Sequence, residues 1–158
     1  MKIIECVPNF SEGKNSDTFD ALKDSIKNIP DVKLLSLEPD GDYNRVVVTL
    51  AGNENGILNG AIAITKTAAD LINMRNHKGE HPRLGAIDVV PFVPVKNVTM
   101  DECVTLSKEF GKRISNELSV PVYLYEEAAQ KPNRKNLSDI RKGEYEGLEA
   151  KLQKEEWY

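Results

Sequence analysis

The sequence predicts an α+β fold, an α/β sandwich. Its sheet is mixed and mostly antiparallel, on a βαββαβ ferredoxin-like plan, extended by a further helix and strand, with helices mainly on one face. Three observations lead there. Short β-branched runs alternate with stretches of helical period along the chain. The second and third runs are separated only by Glu38-Pro39-Asp40-Gly41-Asp42, a turn too short to cross a sheet, so those strands run antiparallel and the fold is not doubly wound. A chain of 158 residues that is 40% hydrophobic can bury one core of its own, so 1–158 is read as a single domain.

The elements follow in order. Residues 1–7 are rich in Ile and Val and read as a buried strand, broken by Pro8-Asn9-Phe10-Ser11-Glu12-Gly13. From Ser16, the spacing of Phe19, Leu22, Ile26 and Ile29 predicts a helix with one apolar stripe, ended by Pro30. Residues 32–37 and 46–50 read as a hairpin with an acidic tip, the second strand being the β-branched run Val46-Val47-Val48-Thr49-Leu50. Asn53 is a plausible cap for a long helix bearing Ile57, Ala61, Ile64, Ala68 and Ile72, which fails near 73–76. Residues 86–95 are strand-like, and Pro91 and Pro94 place that strand at an edge or a bulge. Thr99-Met100-Asp101-Glu102 fits a capping box for a helix carrying Cys103, Leu106, Phe110, Ile114 and Leu118. Residues 120–125 read as a last strand, with short helical pieces expected around 137–141 and 145–153.

Charge and composition narrow the function. A formal net charge of −4 argues against a general nucleic-acid binder. No apolar run reaches the ~20 residues of a membrane helix, and Glu5 and Pro8 come too early for a signal-peptide core. Cys6 and Cys103 are far apart in apolar surroundings, which fits free thiols in a reducing cytoplasm.

Both histidines fall in the segment 76–85, Asn76-His77-Lys78-Gly79-Glu80-His81-Pro82-Arg83-Leu84-Gly85. A connection so rich in chemistry is where a rigid scaffold usually carries its site. His77-Lys78-Gly79-Glu80-His81 fits the inverted zinc-peptidase pattern, but that pattern needs a helix, and Gly79 and Pro82 oppose one. Acid–base chemistry by His81 is the stronger reading, since imidazole titrates near neutrality. His77 reads as a supporting residue. Lys78, Arg83 and Arg45 are candidate anion binders. Asn9, Ser11 and Glu12 follow the first strand and line a pocket or merely turn. Glu38, Asp40 and Asp42 hold a cation or merely solubilise a hairpin tip. Tyr123 and Tyr125 share a strand face and are placed to flank a ring-containing ligand.

Several stretches together resemble the glutamate formiminotransferases. They are Glu5-Cys6-Val7-Pro8-Asn9-Phe10-Ser11-Glu12-Gly13; His77 through Val89 with Pro91-Phe92-Val93-Pro94-Val95; Val120-Pro121-Val122-Tyr123-Leu124-Tyr125-Glu126; and Ile140-Arg141-Lys142-Gly143-Glu144-Tyr145-Glu146. The resemblance runs in order along essentially the whole chain. It implies the N-terminal subdomain of an enzyme that moves the formimino group of N-formimino-L-glutamate to N5 of tetrahydrofolate, in histidine degradation. It implies tetrahydrofolate as co-substrate, no metal, and a C-terminal subdomain, in the same or a separate chain, that completes a folate tunnel. His81 falls on the family's general base. Glu38 falls on an acidic position that is Asp in relatives, and Asn9, Arg45, Lys78 and Arg83 are assigned to substrate binding. A face left without its second subdomain is expected to drive self-association into a homo-oligomer. The rival expectation is a non-catalytic stand-alone folate-binding or assembly domain of the same fold.

Overall fold

The structure is a computed structural model that describes residues 1–157. Its strands are β1 (Ile3–Cys6), β2 (Asn9–Phe10), β3 (Val32–Asp40), β4 (Arg45–Gly52), β5 (Ile87–Val89) and β6 (Phe92–Lys96). Its α-helices are α1 (Ser16–Lys27), α2 (Glu54–Leu71), α3 (Met100–Leu118), α4 (Leu137–Arg141) and α5 (Leu148–Leu152).

β1 and β2 are one strand with one defect. Both pair with β4 in a single antiparallel register, Cys6 opposite Leu50 and Asn9 opposite Val47. The interruption is at Val7 and Pro8, where the ladder loses the N–H that proline lacks. β5 and β6 are likewise two halves of one edge, pairing β2 and β1. The expected strand over 86–95 is thus split between Val89 and Phe92, around Pro91. Counting each broken pair once, the sheet order is the one the βαββαβ plan requires, with β3 at one edge and β5–β6 at the other. Every pairing is antiparallel, so the sheet is not mixed.

One face of the sheet carries the core. Ile4, Cys6, Phe10, Val46, Val48 and Leu50 are fully buried under the helices. α1 contributes Leu22 and Ile26, while α2, sandwiched between α1 and α3, buries Ile57, Ala61, Ile64 and Ala68. Each such aliphatic side chain contributes about 1.5–3 kcal/mol by leaving water. The caps form as expected: Asn53 Oδ1 accepts from Gly56 N at 2.8 Å, and Thr99 Oγ1 accepts from Glu102 N at 3.1 Å.

Two further expectations need correction. The hairpin turn is 41–44, not 38–42, because β3 continues through Pro39 to Asp40. β3 is an edge strand paired only with β4, and an edge tolerates proline. A bulge at Leu35 also shifts the register, so that Glu38 and Asp40 share the open face with Val47 and Arg45. Finally, residues 120–125 form no strand. Pro94 and Pro121 remove a donor from each side of the ladder it would need. The segment instead runs over α3, where Val122 packs at Gly111. Between it, α3 and the β5–β6 edge lies an apolar cavity of about 530 Å³, lined in part by Phe92, Phe110, Tyr123 and Tyr125.

Candidate active site

The site is built around the hairpin tip between β3 and β4. Asp40 Oδ1 accepts from Asp42 N and Tyr43 N at 3.0 and 3.1 Å and tightens the turn. Asn44 then takes left-handed backbone geometry (φ 53°), which asparagine tolerates better than most residues. Its side chain is a buried peg. Oδ1 accepts from Gly13 N at 2.9 Å and Nδ2 donates to Lys78 O at 2.9 Å. The tip is thereby clamped between the loop after β2 and segment 76–85. Both clamps need glycine: a Cβ on Gly13 would meet Asp40 O at 2.1 Å, and one on Gly79 would meet Tyr43 O at 2.2 Å.

His77 and Arg83 close this structure from below. His77 is buried, and its Nδ1 accepts from Arg83 Nε at 3.0 Å. Its Nε2 therefore carries the proton and donates to Asn44 O at 2.8 Å, so the ring is a neutral tautomer with both nitrogens committed. Arg83 is equally committed. Nη1 donates to Glu144 and Glu146 at 3.2 and 2.8 Å, and Nη2 to Glu146 and His77 O at 2.6 and 3.4 Å. All five guanidinium donors are engaged. Arg83, expected as a substrate-binding cation, instead ties the C-terminal segment to the loop.

His81 sits at the mouth, half-buried. Its Nε2 is 2.8 Å from Arg45 Nη1, and its ring meets Tyr43 edge-on at 6.1 Å between centroids. Arg45 also donates to Asn9 Oδ1 at 3.3 Å and lies 5.6 Å from the Tyr43 ring centre. Its Nε is buried without a partner among the described residues, a cost of about 1–3 kcal/mol. Asn9, Tyr43, Arg45, His81 and Asp88 line one recess. Burial is the largest influence on His81 and holds its pKa below the ordinary value. Arg45 and Arg141 push the same way, and Asp88 opposes them.

Asp88 and Arg141 fall within the motifs but are not among the candidate site residues read from the sequence. The Asp88 carboxylate is almost fully buried, accepts from Leu84 N at 3.2 Å and pairs with Arg141 of α4. Tyr125 lies in the field of that pair, and burial pushes its phenol up to about 12. Asp88 belongs to both the His81 recess and the apolar cavity, so the two spaces adjoin. The signal was present in Ile87-Asp88-Val89, where an acid interrupts an apolar strand, but its cation lies 53 residues away.

Ser11 also lines the recess, but it is buried and its hydroxyl donates to Gly85 O at 2.7 Å, a structural tie; the remaining candidates scatter. Glu12 accepts from Lys14 N. Lys78 is exposed on the clamping loop, and Glu38 is exposed on the open face, outside the residues that line the recess. Tyr123 and Tyr125 line the cavity rather than the recess. The helix-borne zinc pattern is not formed: residues 77–81 are not helical and both nitrogens of His77 are taken. Among the described residues, no helix is long and apolar enough to cross a membrane.

Comparison with known proteins matches this arrangement to a family. The model of the formiminotransferase domain, N-terminal subdomain, matches residues 3–158. A formimidoyltransferase-cyclodeaminase of Dictyostelium discoideum is 56% identical over 99% of this chain and 29% of its own length. Glutamate formimidoyltransferases of Streptococcus pyogenes and Thermoplasma acidophilum are 48% and 45% identical over 99% of this chain and 52% of their own lengths. The chain therefore spans about half the length of these shorter relatives and under a third of the longer one. With His81, its recess and the clamped hairpin tip all inside the matched region, the chain belongs to the formiminotransferase N-terminal subdomain family.

Proposed function

We propose that this chain is the His81-bearing half of a glutamate formimidoyltransferase, which moves the formimino group of N-formimino-L-glutamate to N5 of tetrahydrofolate in histidine degradation. The observation that carries the reading is His81 itself: a half-buried imidazole, beside a cation, whose proton affinity is lowered by its surroundings. Such a ring, its proton affinity lowered, is neutral at physiological pH.

The reaction asks for one proton to be moved. As N5 bonds to the amidine carbon, N5 must lose its proton, and the glutamate nitrogen must gain one as its bond to that carbon breaks. His81 accepts the first at Nε2 and delivers it to the departing nitrogen. General acid–base relays of this kind are worth about 10²–10⁴-fold. Arg45 and the exposed Lys78 are the cations available to substrate carboxylates, with Asn9 beside Arg45. Glu38, on the open face, is placed to meet a partner subdomain or the folate it holds. The adjoining cavity, with Tyr125 on its wall, offers apolar surface to an aromatic co-substrate. The free thiols Cys6 and Cys103, both buried, suit the cytoplasm.

The relatives' further length is read as the C-terminal subdomain that completes the binding tunnel. Formimino transfer is therefore measured with the chain joined to that remaining part and with the chain alone. The account expects transfer from the joined protein. A joined, folded protein that binds tetrahydrofolate but transfers nothing is the result expected of a non-catalytic domain.

A further inference from the structure

A general base must offer a lone pair, and that of His81 is already occupied. Guanidinium nitrogens have no lone pair, so Arg45 Nη1 donates across the 2.8 Å contact and Nε2 accepts. The imidazole proton then sits on Nδ1. A proton arriving at Nε2 would face the Arg45 cation at hydrogen-bond distance in a partly dry recess. His81 cannot accept a substrate proton until Arg45 moves away.

The recess also indicates what moves it. Arg45 Nε is sealed from water with no acceptor among the described residues, so the resting position leaves a donor unused. The contact to Asn9 Oδ1, at 3.3 Å, is long. The Tyr43 ring, exposed at the tip, gives the guanidinium a flat surface along which to swing. A carboxylate is the group that matches a guanidinium with two parallel hydrogen bonds and neutralises its charge.

We propose that Arg45 is a positioning residue that masks the His81 Nε2 lone pair in the free protein and is drawn off it by a carboxylate of the incoming substrate, so that the base is exposed only when an anionic substrate is in place. This rests on the general-base reading of His81 and deepens it. The exchange makes and breaks no covalent bond: one N–H···N hydrogen bond is traded for N–H···O bonds to the carboxylate. Removing an unpaired cation from beside the ring then raises its proton affinity. The groups facing His81 are Arg45 from β4, Tyr43 from the tip, Asp88 from β5 and Arg141 from α4, with Lys78 and Glu80 in its own loop. Of the groups named, only Arg45 makes a hydrogen bond to the ring.

The test is histidine NMR on this chain, which has two histidines, with signals assigned by His77→Gln. In the free wild type, His81 is expected as the Nδ1–H tautomer. Arg45→Gln should raise its pKa by about one pH unit, the lower end of what a neighbouring charge does. Arg45→Lys should restore part of the wild-type value. Titration with N-acetyl-L-glutamate should raise the pKa of wild-type His81 and leave Arg45→Gln unmoved, while the dimethyl ester should move neither. An Nε2–H tautomer in the free wild type, or a pKa insensitive to Arg45→Gln, overturns the mask. A wild-type pKa unchanged at saturating dicarboxylate overturns the release. These signals do not depend on turnover. Absence of transfer with the NMR pattern intact refutes the assigned reaction alone.

Discussion

His77 is 9% exposed, and both of its ring nitrogens are spent on the protein, one on Asn44 O and one on Arg83. His81 lies four positions further along the same loop, half-buried, with its Nε2 2.8 Å from Arg45 Nη1. The same side chain thus serves two ends. A polar network in which every donor and acceptor is matched rigidifies the fold. A ring left at the edge, with one exchangeable partner and a lowered pKa, is available for chemistry. The difference teaches that the loop is two devices in series. The His77–Arg83–Glu146 lock holds the segment still, so that His81 is presented in one place.

The largest effect that sharpens this contrast is on activity. His81→Ala is expected to lower formimino transfer by about 10²–10⁴-fold while changing stability by less than about 1 kcal/mol, as for other partly exposed sites. Next comes the lock. Arg83→Met should cost about 2–4 kcal/mol in urea unfolding, because it strands buried acceptors on His77 and frees the 144–146 segment. His77→Ala should cost about 2–3 kcal/mol by leaving Asn44 O and Arg83 Nε unpaired. If the two act as one lock, their double variant costs less than the sum by more than about 0.5 kcal/mol. Simple additivity would break the comparison.

Smaller effects come from pH. Arg83 holds the Glu146 carboxyl down to about 2. A depressed carboxylate stabilises the fold above its unfolded pKa, and that stability is lost as pH falls from about 4.3 towards 2. Glu146 is 65% exposed, so screening limits the effect to less than about 1 kcal/mol. Acid titration of Glu146→Gln should show a correspondingly shallower loss of stability over that window. The His81 pKa is lowered in the free protein, so the acid limb of the pH dependence of kcat/KM, which reports the free protein, should lie below the ordinary histidine value of about 6.5. A limb at or above that value would contradict the environment described for it.

Much of this was legible in the sequence, for reasons tied to locality. The stripe of α1, the caps at Asn53 and Thr99 and the antiparallel hairpin each depend on residues a few positions apart. So does the non-helical course of segment 76–85, since Pro82 and Gly79 already oppose a helix. What was not legible depends on distant pairing. The Leu35 bulge that turns Glu38 to the open face is visible only in register with β4. Whether residues 120–125 pair depended on donors missing from another strand. Arg83 reads as a free cation until Glu144 and Glu146 arrive from more than 60 residues away. Asn44, at the opening of a strand, carries no local mark of being the buried peg on which both loops hang. Asp88 and Arg141 meet across a similar gap, and periodicity carries no trace of such a partnership.

The central claim is that His81 is the base and His77 the scaffold. The direct test is to measure kcat and Tm side by side for His81→Ala and His77→Ala in the joined protein. The account predicts that His81→Ala loses transfer by at least about 100-fold at an unchanged Tm. It predicts that His77→Ala lowers Tm by several degrees and keeps most of its kcat at a temperature where it remains folded. Normal transfer by His81→Ala would contradict the account outright.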